Sequence, residues 1–148
     1  MGRSTVNNQR RKRLSRRLAE AVLAGDAALV AALLRAGADP ARGHGRGATP
    51  LYTAAVHGEA GIARLLLAAG AGPDTESAGD GTEGTPLCAA ACWGHTAVVR
   101  VLLEYGADPD LREDHGAGLS PLDWAHHGPH PGTVALLVAA GAREATSR

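Results

Sequence analysis

The chain has 148 residues, with 15 basic and 15 acidic side chains, no Phe and two Cys, which suits one small domain rather than several. No stretch approaches the roughly 18–20 apolar residues that a bilayer-spanning helix needs, and two cysteines one helical turn apart cannot form a disulfide framework. A helical membrane protein and a disulfide-stapled secreted module are thereby excluded, and a reducing, cytoplasmic setting is expected.

Charge is balanced overall but not along the chain. Residues 1–17 hold Arg3, Arg10, Arg11, Lys12, Arg13, Arg16 and Arg17 with no acid, while the remainder holds eight Arg against fifteen Asp and Glu. Residues 1–15 are therefore predicted to be a flexible basic arm preceding an acidic body. Such an arm could contact nucleic acid or another polyanion, or act as a nuclear import signal in a eukaryote. It has no interleaved aromatics for base stacking, so a solubilising tail or helix cap is the plainer reading.

From residue 16 the chain repeats itself. Gly37, Gly70, Gly106 and Gly141 close four apolar runs at spacings of 33, 36 and 35. Thr49-Pro50-Leu51, Thr85-Pro86-Leu87 and Ser120-Pro121-Leu122 each begin 21 positions before such a glycine. A fixed period of this size marks a solenoid, whose units bury their apolar faces only against their neighbours. The units divide at about 16–48, 49–84, 85–119 and 120–142, followed by a tail, 143–148. The first has Arg16-Arg17-Leu18 in place of Thr-Pro-Leu, as a solvated capping unit would.

Residues 85–110 read most clearly. Thr85 can N-cap a helix whose first position is Pro86, and Gly94 ends it. His95-Thr96 opens a second helix, with Val98, Val99, Val101, Leu102 and Leu103 on its buried face. Gly106 suits a left-handed C-cap, and Ala107-Asp108-Pro109-Asp110 turns the chain into a projecting loop. In the last unit Gly128-Pro129-His130 predicts a different inter-helix turn. Loop 71–84 is predicted to be the most mobile segment.

The sequences Thr49 to Ala55, Gly58-Glu59 and Leu66 to Ala71, then Thr85 to Ala91, Gly94-His95 and Leu102 to Asp108, resemble the ankyrin repeat pattern. The resemblance covers about residues 16–142. It implies an all-α solenoid of four stacked helix-turn-helix repeats with projecting β-turn or hairpin loops. It also implies a non-catalytic module that binds another protein through a concave groove and its loop tips. Carried onto this chain, the groove positions are Val56 and His57, Cys92 and Trp93, and His127, with Tyr105 expected to flank the same surface. The loop tips offer Arg46, Arg112 and Asp114. The family's histidine after Thr-Pro-Leu is replaced by Tyr52, Cys88 and Asp123, so any loop-to-loop bond it makes must be replaced or lost. Trp124 falls where a buried leucine is usual and reads as structural.

No catalytic set can be singled out, and no cofactor is implied. Cys88, Cys92 and His95 lack a fourth ligand, and His126-His127-x-x-His130 lacks the Glu of a zinc protease site, so no metal is assigned. A monomer is expected, with self-association through the apolar last helix as a structural alternative.

Overall fold

The computed structural model describes residues 2–43, 48–77 and 84–144. Eight α-helices follow in order: α1 Gly2–Ala24, α2 Ala27–Arg35, α3 Pro50–His57, α4 Ala60–Ala68, α5 Pro86–Trp93, α6 Thr96–Glu104, α7 Pro121–His127 and α8 Pro131–Ala139. A short 3-10 turn covers Asp114–Gly116. Among the described residues the only β pairing is the antiparallel bridge between Ser77 and Gly84, at the base of the second loop. Of loop 71–84, expected to be the most mobile segment, residues 78–83 lie outside the described residues, as does Arg46.

Local chemistry sets each helix boundary. The Thr49, Thr85 and Ser120 hydroxyls accept hydrogen bonds from the backbone N–H groups of Tyr52, Cys88 and Asp123. Each cap precedes a proline whose missing N–H costs nothing in the first helical turn. At Ser120 the cap is reciprocal, because Asp123 Oδ2 accepts from the Ser120 N–H at 3.0 Å. The second helices all end in one device. After α6, Gly106 turns to φ +89° and the Ala107 N–H reaches back to the Leu102 carbonyl at 3.0 Å, a left-handed closure that a side chain would strain.

Helices pair as antiparallel hairpins, and the hairpins stack. First helices pack on first helices (α1 on α3, α3 on α5, α5 on α7) and second on second (α2 on α4, α4 on α6, α6 on α8). The interior is an apolar ladder rather than a central core. Leu18, Leu51, Leu87 and Leu122 form one rail, and Leu33, Leu66, Leu102 and Leu137 another, all buried. Alanines at 54, 55, 90, 91 and 125 are buried between the first helices, where small side chains let backbones approach.

One expectation changes and another is met. The N-terminal segment is not a flexible arm: from Gly2 onward it is the leading half of α1, a helix of 23 residues, about 35 Å long. Leu14 packs against the core and Ser15 is buried, so burial anchors the helix before residue 16. The last inter-helix turn does differ, as predicted. Gly58 and Gly94 adopt φ +72° and +71°, which proline cannot adopt. At the Pro129 register the turn is made instead by Gly128, at φ −83°. The closing bond survives, from the His130 N–H to the Ala125 carbonyl at 2.9 Å.

Candidate protein-binding surface

The C-terminal ends of α3, α5 and α7 lie side by side in the first-helix layer and carry Val56 and His57, Cys92 and Trp93, and His127. Val56 and Cys92 are half-buried, whereas His57 and His127 are exposed. Trp93 is 61% exposed, and its indole N–H has no hydrogen-bond partner among the described residues. At the register of Trp93 in the last hairpin stands Gly128. A Cβ there would lie 2.7 Å from the Cys92 carbonyl oxygen, so packing keeps the position bare.

Both exposed histidines are held by their own helices. His57 Nδ1 lies 2.9 Å from the Thr53 carbonyl, and His127 Nδ1 lies 2.9 Å from the Asp123 carbonyl. A carbonyl can only accept, so Nδ1 carries the proton in each bond. The neutral ring then presents Nε2 to solvent as an acceptor.

Beneath this row runs a set of bonds that sequence reasoning missed. His95 Nε2 donates to the Val56 carbonyl and His130 Nε2 to the Cys92 carbonyl, both at 3.0 Å. Each histidine opens the second helix of one hairpin and satisfies a helix-end carbonyl of the hairpin before it. The signal was present as His95 and His130, 35 positions apart. The corresponding residue one hairpin earlier is Glu59, whose carboxylate lies over Gly25 and has no proton to donate when ionised.

Tyr105 does not flank this surface. It caps the C-terminus of α6, at the loop end of the hairpin, about 13 Å along the helix axis from the turn that follows Trp93. There, 39% exposed, its hydroxyl lies by the Arg64 guanidinium, which pairs with Glu104 at 3.0 Å across the second-helix layer.

The loops brace one another. Asp74 accepts from the Asp108 N–H with both oxygens, at 3.0 and 3.2 Å, and Asp110 Oδ1 accepts from the Arg143 N–H at 2.8 Å. The register puts Ala41 where the first loop would need such an aspartate. Glu76 accepts from the His115 backbone N–H at 3.2 Å and faces its Nδ1 at 3.1 Å. Both Asp114 and His115 have positive φ, +52° and +51°, a conformation side chains tolerate poorly. Of the predicted loop contacts, Asp114 is exposed. Arg112 is engaged internally: Nη1 donates to the Gly118 carbonyl at 3.1 Å, and Nη2 lies 3.8 Å from Asp123 Oδ2.

The residues replacing the family's histidine carry new bonds. Cys88 is buried with Sγ 3.6 Å from the Leu119 carbonyl, and burial pushes its thiol up to about 12. Burial also raises Cys92, with Glu113 adding repulsion. Asp123 is held below the ordinary carboxylate range, chiefly by the Ser120 N–H. Trp124 is half-buried against the core, and its indole N–H donates to Glu113 Oε1 at 2.9 Å. Glu113 is nonetheless raised, because burial outweighs that bond. Among the described residues no three His, Cys, Asp or Glu side chains are grouped to hold a metal.

Compared with known families, the chain matches a model described as ankyrin repeats (3 copies) over residues 18–113 and again over 76–146. The chain belongs to the ankyrin repeat family. Ankyrin repeats are generally protein–protein interaction modules and are typically non-catalytic. A search of curated proteins gave no match. Among the described residues of this ankyrin repeat chain, no helix is long and apolar enough to cross a membrane.

Proposed function

We propose that this ankyrin repeat protein is a non-catalytic binding module that docks a protein partner on the first-helix face. Val56, His57, Cys92, Trp93 and His127 make the contact, flanked by the loop tips. The observation that carries this reading is Trp93, a large aromatic left in solvent with an unused N–H donor. Aromatic side chains of this kind anchor interfaces, because they bury much area at low entropic cost. His57 and His127 add hydrogen-bond acceptors beside the indole. The reduced thiols Cys88 and Cys92 fit a cytoplasmic setting. The test is capture of a partner from the native cell by the full chain, repeated with Trp93→Ala. Capture unchanged by that substitution, with helical circular dichroism intact, would remove the reading.

A second reading rests on α1. As a helix it displays Arg3, Arg10, Arg11, Lys12, Arg13, Arg16 and Arg17, all exposed, as a basic rod suited to a polyanion. Binding of duplex DNA or RNA should then weaken steeply with salt. A third reading, self-association, rests on the last hairpin, where Val138 is 50% exposed. Sedimentation across protein concentration tests it.

A further inference from the structure

Where α1 passes the loop that follows α2, the two elements enclose a cavity of about 360 Å³ lined by Arg11, Ser15, Asp39 and Arg42. The volume is at the small end of the range for ligand sites. Three features of its wall are unusual together. Arg11 and Arg42 have no carboxylate or carbonyl partner among the described residues. Ser15 is only 6% exposed, yet its hydroxyl has no hydrogen-bond partner either, and a buried hydroxyl left unsatisfied is costly. Arg10 stands alongside, its Nη2 donating to the Ala36 carbonyl at 3.4 Å.

The charges in and around the cavity define what it can hold. Two guanidiniums of the wall, Arg11 and Arg42, with Arg10 beside it, stand against one carboxylate, Asp39, whose Oδ1 is already engaged by the Ala41 N–H at 2.9 Å. The C-terminal end of α2 adds a partial negative charge of roughly one half. A positive surplus remains. A phosphate monoester, carrying about −1.5 to −2 near neutral pH, balances that surplus better than a single carboxylate does. Its oxygens suit the planar fork of guanidinium donors, and one could accept the Ser15 proton. The cavity exceeds a bare phosphate ion in size, leaving space for the atoms to which the phosphate is attached.

The geometry points to a phosphate-monoester site built from Arg11, Ser15 and Arg42, of the kind a phosphorylated side chain would fill. It lies on the capping hairpin, away from the Trp93 surface, and stands independently of the protein-docking reading.

The experiment is calorimetric titration of the full chain with an end-blocked phosphoserine peptide, its unphosphorylated twin and inorganic phosphate. The phosphopeptide should bind saturably at one site and its twin should not. Weaker binding by inorganic phosphate identifies a substituted phosphate as the ligand, whereas equal binding upholds the site with the free ion as its source. Arg42→Gln and Ser15→Ala should each weaken phosphopeptide binding, Arg42→Gln by about tenfold or more. Arg13→Gln and Arg16→Gln, exposed on α1 but outside the cavity wall, should leave it unchanged. Absence of saturable phosphopeptide binding overturns the proposal. So does an equal loss in all four variants, which would mark diffuse attraction to the basic helix.

Discussion

The His130 ring donates to the Cys92 carbonyl at 3.0 Å, repeating one hairpin later the bond from His95 to Val56. Each bond ties the opening of a second helix to the closing carbonyl of the preceding first helix, at a half-buried position. His95→Ala and His130→Ala should each lower the unfolding free energy by about 1–2 kcal/mol, measured by urea denaturation. His57→Ala removes a ring bonded only to its own helix and should stay within about 0.5 kcal/mol of the parent.

Tyr105 and Trp93 occupy opposite ends of one hairpin, and their substitutions should separate accordingly. Trp93→Ala should cost partner binding at least tenfold, the scale of an aromatic anchor at about 1.4 kcal/mol or more. Tyr105→Ala should leave binding within about twofold. Both should retain the parent circular dichroism. An equal loss in the two variants would place the interface elsewhere.

The Glu113 carboxyl is raised by burial, so its charged form is disfavoured in the folded chain. The linkage runs opposite to that of a salt-bridged acid. Its penalty is fully present above the raised folded value and is relieved as pH falls through that value towards about 4.3, the unfolded reference. Asp123 is lowered; its contribution is present above about 3.9 and lost below it, as pH falls through the folded value. Glu113→Gln keeps an acceptor for the Trp124 N–H and removes the charge. It should match or exceed the parent in stability at pH 7 and flatten the stability profile just above pH 4, as followed by thermal melts across pH.

Cys88 is buried with its thiol pushed up to about 12, whereas Cys92 is only partly covered. The thiolate is the reacting species. Alkylation at pH 8 should therefore modify Cys92 alone in the folded chain and reach Cys88 only after denaturation. Mass spectrometry of the labelled chain checks this, and early labelling of Cys88 would contradict its buried placement.

Among the described residues the loop braces from Asp74 and Asp110 have no counterpart in the first loop, where Ala41 stands at that register. Ala41→Asp should supply the missing acceptor to the Gly72 N–H and stabilise the array by about 0.5–1.5 kcal/mol. Asp110→Ala should cost a similar amount. Chemical denaturation of both variants measures the pair.

The repeat period was legible because each hairpin obeys the same local rules. Thr85-Pro86 and Gly106 encode a start and a stop through capping and backbone chirality, chemistry that needs no partner to be read. The ladder of buried leucines followed from that register. Contacts between hairpins were less legible. His95 and His130 were visible as residues, yet which carbonyl they reach depends on how closely the alanines of adjacent first helices let the backbones approach. Composition pairs Tyr105 with Trp93, while the direction of α6 sets Tyr105 at the opposite end of the hairpin. The helical start was missed because a basic, polar stretch carries no strong periodicity. What anchors it, Leu14 on the apolar core and Ser15 buried beside the loop that follows α2, is tertiary.

The missing links at Glu59 and Ala41 fall at one joint, between the hairpin of α1 and α2 and the hairpin of α3 and α4. Every later joint has both a ring-to-carbonyl tie and an aspartate brace, and among the described residues this one has neither. Hydrogen exchange should therefore find α1 and α2 detaching as a unit at lower cost than any other pair, so that the chain opens from its basic end while the remaining stack stays assembled.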